Sequence, residues 1–217
     1  MKLALINPNT SSEITRTMVD IAAEAAGPAV EVIGYTAGFG APLITEPTSL
    51  AVAARAVAAM AHSLDEADAV IVAAFGDPGL DALRSTLAVP VTGIAEAGMA
   101  EAARGGRRFA VVTTTPGLRD RIAETAARYG LRHFAGTWTT DGDPVALTAD
   151  PPALEAALAA SVEQAIREGG AEAIVIGGGP LATAARSLLA TSPVPLVEPV
   201  PAAVRLSLAR AMEGTRA

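Results

Sequence analysis

Three segments of this chain recur in the same order at nearly one offset. "ADAVIVAAF" at 67–75 returns as "AEAIVIGGG" at 171–179, and "VPVTGIAEA" at 89–97 returns as "VPLVEPVPA" at 194–202. The opening "LALINPNT" at 3–10 returns as "FAVVTTTP" at 109–116. Such repetition predicts two homologous lobes, 1–96 plus 200–217 and 97–199. Within each, short apolar runs alternate with alanine-rich helical stretches, which is the pattern of a parallel α/β sheet. The runs are Leu3–Ile6, Val30–Tyr35, Ala69–Ala74, Val89–Ile94, Phe109–Thr113, Ala173–Gly177 and Val194–Val197. Segment 135–150, "AGTWTTDGDPVALTAD", has no clean period and reads as a connection or an irregular strand.

The expected fold class is therefore α/β, with two pseudosymmetric lobes of parallel sheet. In open parallel sheets the ligand lies beyond the carboxyl ends of the strands. Two facing lobes would then bring "NPNT", "AAFGDPG", "VTTTPG" and "GGGPLA" around one shared cleft.

Composition removes several alternatives. A net charge of −7 with no Lys/Arg stripe argues against nucleic acid as a partner. The chain has no cysteine, which excludes disulfides, thiolate metal sites and thiol nucleophiles together. "MKLALINPNT" reads as a strand and not as a signal peptide, and no apolar run approaches the ~18 residues of a membrane span. A cytoplasmic location without a membrane partner is the expectation.

The strand-end loops supply the candidate ligand contacts. In "NPNTSSEIT", Asn7, Asn9 and Thr10 stand where a strand gives way to a helix. Asn9, Thr10 or Ser11 can cap that helix while its amides favour an anion. Thr113 and Thr114 hold the matching place in the second lobe. "GYTAGFGAPL" at 34–43 does not fit a dinucleotide fingerprint, and Phe39 and Gly40 are read as cleft walls. His62 and His133 are remote from these loops. No cluster has metal-ligand spacing, so neither metal nor cofactor is implied. The acids Asp77, Glu96 and Glu198 are the candidate bases, since a buried carboxylate beside a cleft has a raised pKa.

"INPNTS", "FGDPGLDAL", "PVTGIAEAGM", "FAVVTT" and "AEAIVIGGG" together resemble the hydantoin racemase branch of the aspartate/glutamate racemase superfamily, over essentially the whole chain. The resemblance implies a two-lobed, cofactor-independent enzyme, a homo-oligomer, whose C-terminal helix returns to the first lobe. It also implies a small anionic or imide-type substrate: an amino acid, a hydantoin or allantoin. In that family one cysteine removes the α-proton and a second returns a proton from the opposite face. By the resemblance those cysteines fall at Ala74 and Gly178, so both thiols are missing. What remains is electrostatic: amides at 75–77 and 178–179, with Phe75, Gly76, Gly178 and Gly179 lining the ligand, and the Thr113 and Thr114 hydroxyls. The expected function is a racemase/isomerase-type reaction through a stabilised carbanion or enolate. The alternatives are a catalytically silent metabolite-binding homologue, or a decarboxylase, isomerase or imide hydrolase using a carboxylate or bound water.

Overall fold

The computed structural model describes residues 1–214. In chain order the elements are β1 (Lys2–Asn7), α1 (Ser12–Ala26), β2 (Glu31–Thr36), α2 (Pro47–Ala59), β3 (Ala69–Val72), α3 (Leu80–Thr86), β4 (Val91–Gly93) and α4 (Ile94–Ala102). They continue with β5 (Phe109–Thr113), α5 (Arg119–Arg128), β6 (Phe134–Thr139), α6 (Pro144–Ala149), α7 (Pro151–Arg167), β7 (Ala173–Ile176), α8 (Ala182–Leu189), β8 (Leu196–Val197) and α9 (Pro199–Gly214).

The strands form two parallel four-stranded sheets with one topology, β2-β1-β3-β4 and β6-β5-β7-β8. Register makes the repeat explicit: Leu3 pairs with Ala69, and Phe109 pairs with Ala173. Two compact units contain these sheets. Unit 1 comprises Met1–Ile44, Thr48–Ala97 and residues 200–214; unit 2 comprises Thr45–Pro47 and Gly98–Pro199. The expected assignment of residues 215–217 to the first lobe lies outside the described residues.

Burial explains which strands were legible. Leu3–Ile6, Ala69–Val72, Phe109–Val112 and Ala173–Ile176 are all at most 1% exposed. Such central strands are covered on both faces and so read as continuous apolar runs. Each buried Leu, Ile or Val contributes about 1.5–3 kcal/mol, which commits these strands to the interior. The edge strand β6 is different. All six of its residues are half-buried, and its pairing with β5 slips between Phe109 and Val111. Both features erase the alternation that sequence reading depends on, so segment 135–150 holds a genuine strand end and the short helix α6. Ala73 and Ala74, expected to end β3, lie beyond it, although the Ala73 amide still donates to Ile6 O at 2.8 Å. No helix among the described residues is long and apolar enough to cross a membrane.

Candidate active site

The end of β1 is organised by two asparagines. Asn7 is fully buried, and its Nδ2 is shared among Asn9 Oδ1 at 2.8 Å, Ser11 O at 3.0 Å and Thr15 Oγ1 at 3.0 Å. Its Oδ1 accepts from the Asn9 amide, and Asn9 Oδ1 accepts from the Ser11 amide at 2.9 Å. Ser11, not Asn9 or Thr10, is the residue that caps α1, accepting from the Ile14 amide at 3.3 Å. These side chains are spent on shaping the turn. Asn7, expected among the ligand contacts, has no exposed surface in this structure. Thr10 is half-buried and donates its amide to Ala41 O at 3.1 Å, fixing the following glycine-rich loop. On that loop Phe39 is 48% exposed and Gly40 is exposed with φ +122°.

The loop after β3 is held tightly. Gly76 (φ +103°) and Gly79 (φ +77°) take glycine conformations, and Asp77 adopts φ +50°, rare for a residue with a side chain. Asp77 is 4% exposed, and its carboxylate accepts from the amides of Ala95 and Glu96 at 2.8 Å each. It therefore caps α4, where the helix dipole favours a negative charge. Gly93 permits this approach, because a Cβ there would collide with the Asp77 carboxyl group. Asp77 was expected as a base; it is committed to holding the loop.

Glu96 is also committed. Its carboxylate receives Arg84 Nη2 at 2.7 Å and Arg210 Nη2 at 2.7 Å, which joins α9 to unit 1. Burial alone would raise this carboxyl. The Arg210 hydrogen bond and charge, the Arg84 charge and the Gly93 amide outweigh it, and the pKa is lowered from its ordinary 4.5. The raised pKa expected of a base is reversed here. A lowered folded pKa contributes stability above the ordinary carboxyl range and loses it as pH falls through the folded value. Glu96→Gln should therefore cost about 1–3 kcal/mol at pH 7. Urea unfolding at pH 7 and at about pH 3.5 checks it: the gap between parent and variant should shrink at the acid end.

Unit 2 repeats the arrangement with different side chains. The Gly177 amide donates to Val112 O at 2.8 Å, as Ala73 does to Ile6, so Gly178 stands where Ala74 stands in unit 1. Gly178 has φ +153°, and a Cβ on it would meet Leu181 Cγ at 3.2 Å. Glu198 is bound by Arg186 Nε at 3.0 Å, from the preceding helix α8, the counterpart of the Arg84–Glu96 pair on α3. At the end of β5, Thr113, Thr114 and Thr115 are all buried, and the hydroxyls of Thr113 and Thr115 lie 3.0 Å apart.

The strand-end amides are the groups left available. Asp77 N is taken by Ala74 O at 3.0 Å, which removes residue 77 from the expected amide set. The amides of Phe75 and Gly76, and of Gly178 and Gly179, form no hydrogen bond among the described residues. Phe75 itself is 7% exposed, so its ring belongs to the core and only its backbone faces the loop.

A family profile described as Asp/Glu/Hydantoin racemase matches residues 3–207. The chain belongs to this family. It is 30% identical to a hydantoin racemase of Paenarthrobacter aurescens over 219 residues, covering 95% of this chain and 89% of the relative. An allantoin racemase from Klebsiella pneumoniae superposes with a TM-score of 0.92 at 32% identity, over 99% of this chain and 89% of that one. Arylmalonate decarboxylase shares the fold alone, with a TM-score of 0.65 at 19% identity over 99% and 94% of the two chains. This racemase-family chain differs from a two-thiol enzyme in having no cysteine anywhere.

Sequence reading missed two groups at these strand ends. Thr140, directly after β6, is 5% exposed, donates its amide to Thr113 O at 3.0 Å, and has no partner for its hydroxyl among the described residues. Glu46 packs its carboxylate on Gly117 in the β5–α5 turn: a Cβ at 117 would lie 2.5 Å from Oε2 and 2.8 Å from Cδ. The aperiodic segment around β6 hid the first, and no local pattern points to the second.

Proposed function

We propose that this chain is a cofactor-independent racemase/isomerase-type enzyme. Its substrate is a small amino-acid derivative, either a hydantoin- or allantoin-like ring or an amino acid-like carboxylate. The reading rests on one observation above others. Two equivalent strand ends each present a pair of backbone amides without partners, Phe75 with Gly76 and Gly178 with Gly179. Amides fixed in advance stabilise negative charge that develops on a carbonyl oxygen as an α-proton leaves, and they need no reorganisation at that moment. A bound hydroxide takes the α-proton and becomes water, the electron pair delocalises onto the carbonyl, and a water on the other face returns a proton to the α-carbon and becomes hydroxide, which inverts the centre and regenerates the base. Water takes the thiols' place because Asp77, Glu96 and Glu198 each already serve a structural partner.

That commitment of the three carboxylates also favours a second reading, a metabolite-binding homologue with no turnover. Incubation with one enantiomer of a 5-substituted hydantoin, or of allantoin, in D₂O separates the two. Under the enzyme reading the α-position gains deuterium faster than in buffer and optical rotation is lost. A ligand-induced melting shift without deuteration supports the binding protein. A product of new mass would replace both with a changed reaction.

A further inference from the structure

We infer that the Asn9 side chain holds the substrate oxygen beside the α-carbon, and that it does so with its amide nitrogen, at the rim where the Phe75 and Gly76 amides stand. The inference rests on the racemase-type reading and deepens it, because it names the side chain that meets the carbonyl or carboxylate oxygen on which charge develops.

Three observations carry it. Asn9 is 5% exposed, and its own bonds fix which way its amide group faces. One end accepts from Asn7 Nδ2 at 2.8 Å and from the Ser11 amide at 2.9 Å, so that end is the oxygen. The other end, Nδ2, carries two N–H groups with no partner among the described residues. It is not sealed in the interior as the Thr137, Thr140 and Ser207 hydroxyls are. The turn takes the oxygen of Asn9 and leaves its nitrogen, and a buried donor left in this way calls for a ligand or a water. Second, the repeat shows that the turn does not require that nitrogen. Thr113 and Thr115 stand in unit 2 where Asn7 and Asn9 stand in unit 1, and their two hydroxyls, 3.0 Å apart, close the corresponding turn. Third, the strand ladder brings Nδ2 to the rim that carries the Phe75 and Gly76 amides. Ile6 pairs with Val72, and the Ala73 amide donates to Ile6 O at 2.8 Å, so β1 and β3 end as neighbours about 4.8 Å apart. Both loops turn at once, the Asn9 amide onto Asn7 Oδ1 at 3.1 Å and the Asp77 amide onto Ala74 O at 3.0 Å. Donors set at adjacent strand ends suit an oxygen that gains negative charge.

Asn9→Asp separates the two ends of the side chain. It keeps the oxygen that accepts from Asn7 and Ser11, it places a negative charge just before the N-terminus of α1, where the helix dipole tolerates one, and it removes only the two N–H donors. Asn9→Thr copies the residue that unit 2 uses at this place. The test is thermal melting of parent and variants, calorimetric titration with 5-benzylhydantoin, and α-deuteration of the same hydantoin in D₂O. Both variants should melt with the parent. Asn9→Asp should bind the hydantoin about tenfold more weakly, and Asn9→Thr several-fold more weakly. At saturating hydantoin, Asn9→Asp should also slow deuteration about tenfold, because the bond tightens as the oxygen gains charge. An Asn9→Asp protein that melts well below the parent overturns the inference, since Nδ2 would then be holding the fold. Unchanged affinity and unchanged deuteration in a folded Asn9→Asp also overturn it, and leave a racemase-type reaction standing. A parent that binds without deuteration, with weaker binding in Asn9→Asp, keeps Asn9 as the donor and removes the racemase-type reading. A parent that neither binds nor deuterates the hydantoin overturns both.

Discussion

Asp77→Ala should destabilise the chain by about 2–4 kcal/mol and abolish any turnover with it. The magnitude comes from two 2.8 Å hydrogen bonds, made by a buried carboxylate to the first amides of α4. Bonds to a charged group are worth roughly 1.5–3 kcal/mol, and a lost helix cap about 1. Alanine also tolerates φ +50° less well than aspartate, whose short polar side chain suits that region. Asp77→Asn keeps one acceptor oxygen and should lose about half as much. Gly93→Ala, on the other side of the same contact, should reproduce the loss because its Cβ takes the carboxyl's place. Thermal or urea unfolding measured beside α-proton exchange decides the matter. If Asp77 positions the loop, stability and exchange fall together in all three variants. An Asp77→Asn protein of parental stability that has lost exchange would return Asp77 to the role of base.

The same contact marks where sequence reading reached its limit. The repeat and the parallel strands were legible because central strands and turn glycines leave a local signature. The role of a carboxylate does not. Asp77, Glu96 and Glu198 stand in the chain as three acids near glycine-rich turns. Their partners come from elsewhere: the amides of Ala95 and Glu96, the guanidinium groups of Arg84 and Arg210, and that of Arg186. A partner 114 positions away, as Arg210 is from Glu96, leaves no trace in local pattern. Glu46 and Thr140 were overlooked for the converse reason. One packs on a glycine far along the chain, and the other is marked only by a bond it does not make.

Placing two thiols at Ala74 and Gly178 should have unequal structural consequences and a joint chemical one. Ala74 has an ordinary backbone conformation and is half-buried, so Ala74→Cys adds one sulfur at little cost. Gly178→Cys meets a backbone at φ +153° and the Leu181 side chain at 3.2–3.3 Å. It should cost about 1–3 kcal/mol, partly recovered by Leu181→Ala, which clears the space but cannot change φ. Each loop offers two amides without partners, which lower a thiol's pKa from about 8.5 and favour the thiolate. A positioned acid or base is worth about 10²- to 10⁴-fold, and inversion requires one on each face of the substrate. The double variant should therefore deuterate and racemise a hydantoin at least tenfold faster than the parent, with either single variant far behind. The strained position decides how the result is read. If the folded double variant binds hydantoin yet leaves the α-position protonated, the Gly178 backbone does not aim a thiol as a racemase does. The second loop has then been rebuilt around its glycine, and the amides alone carry whatever chemistry this chain performs.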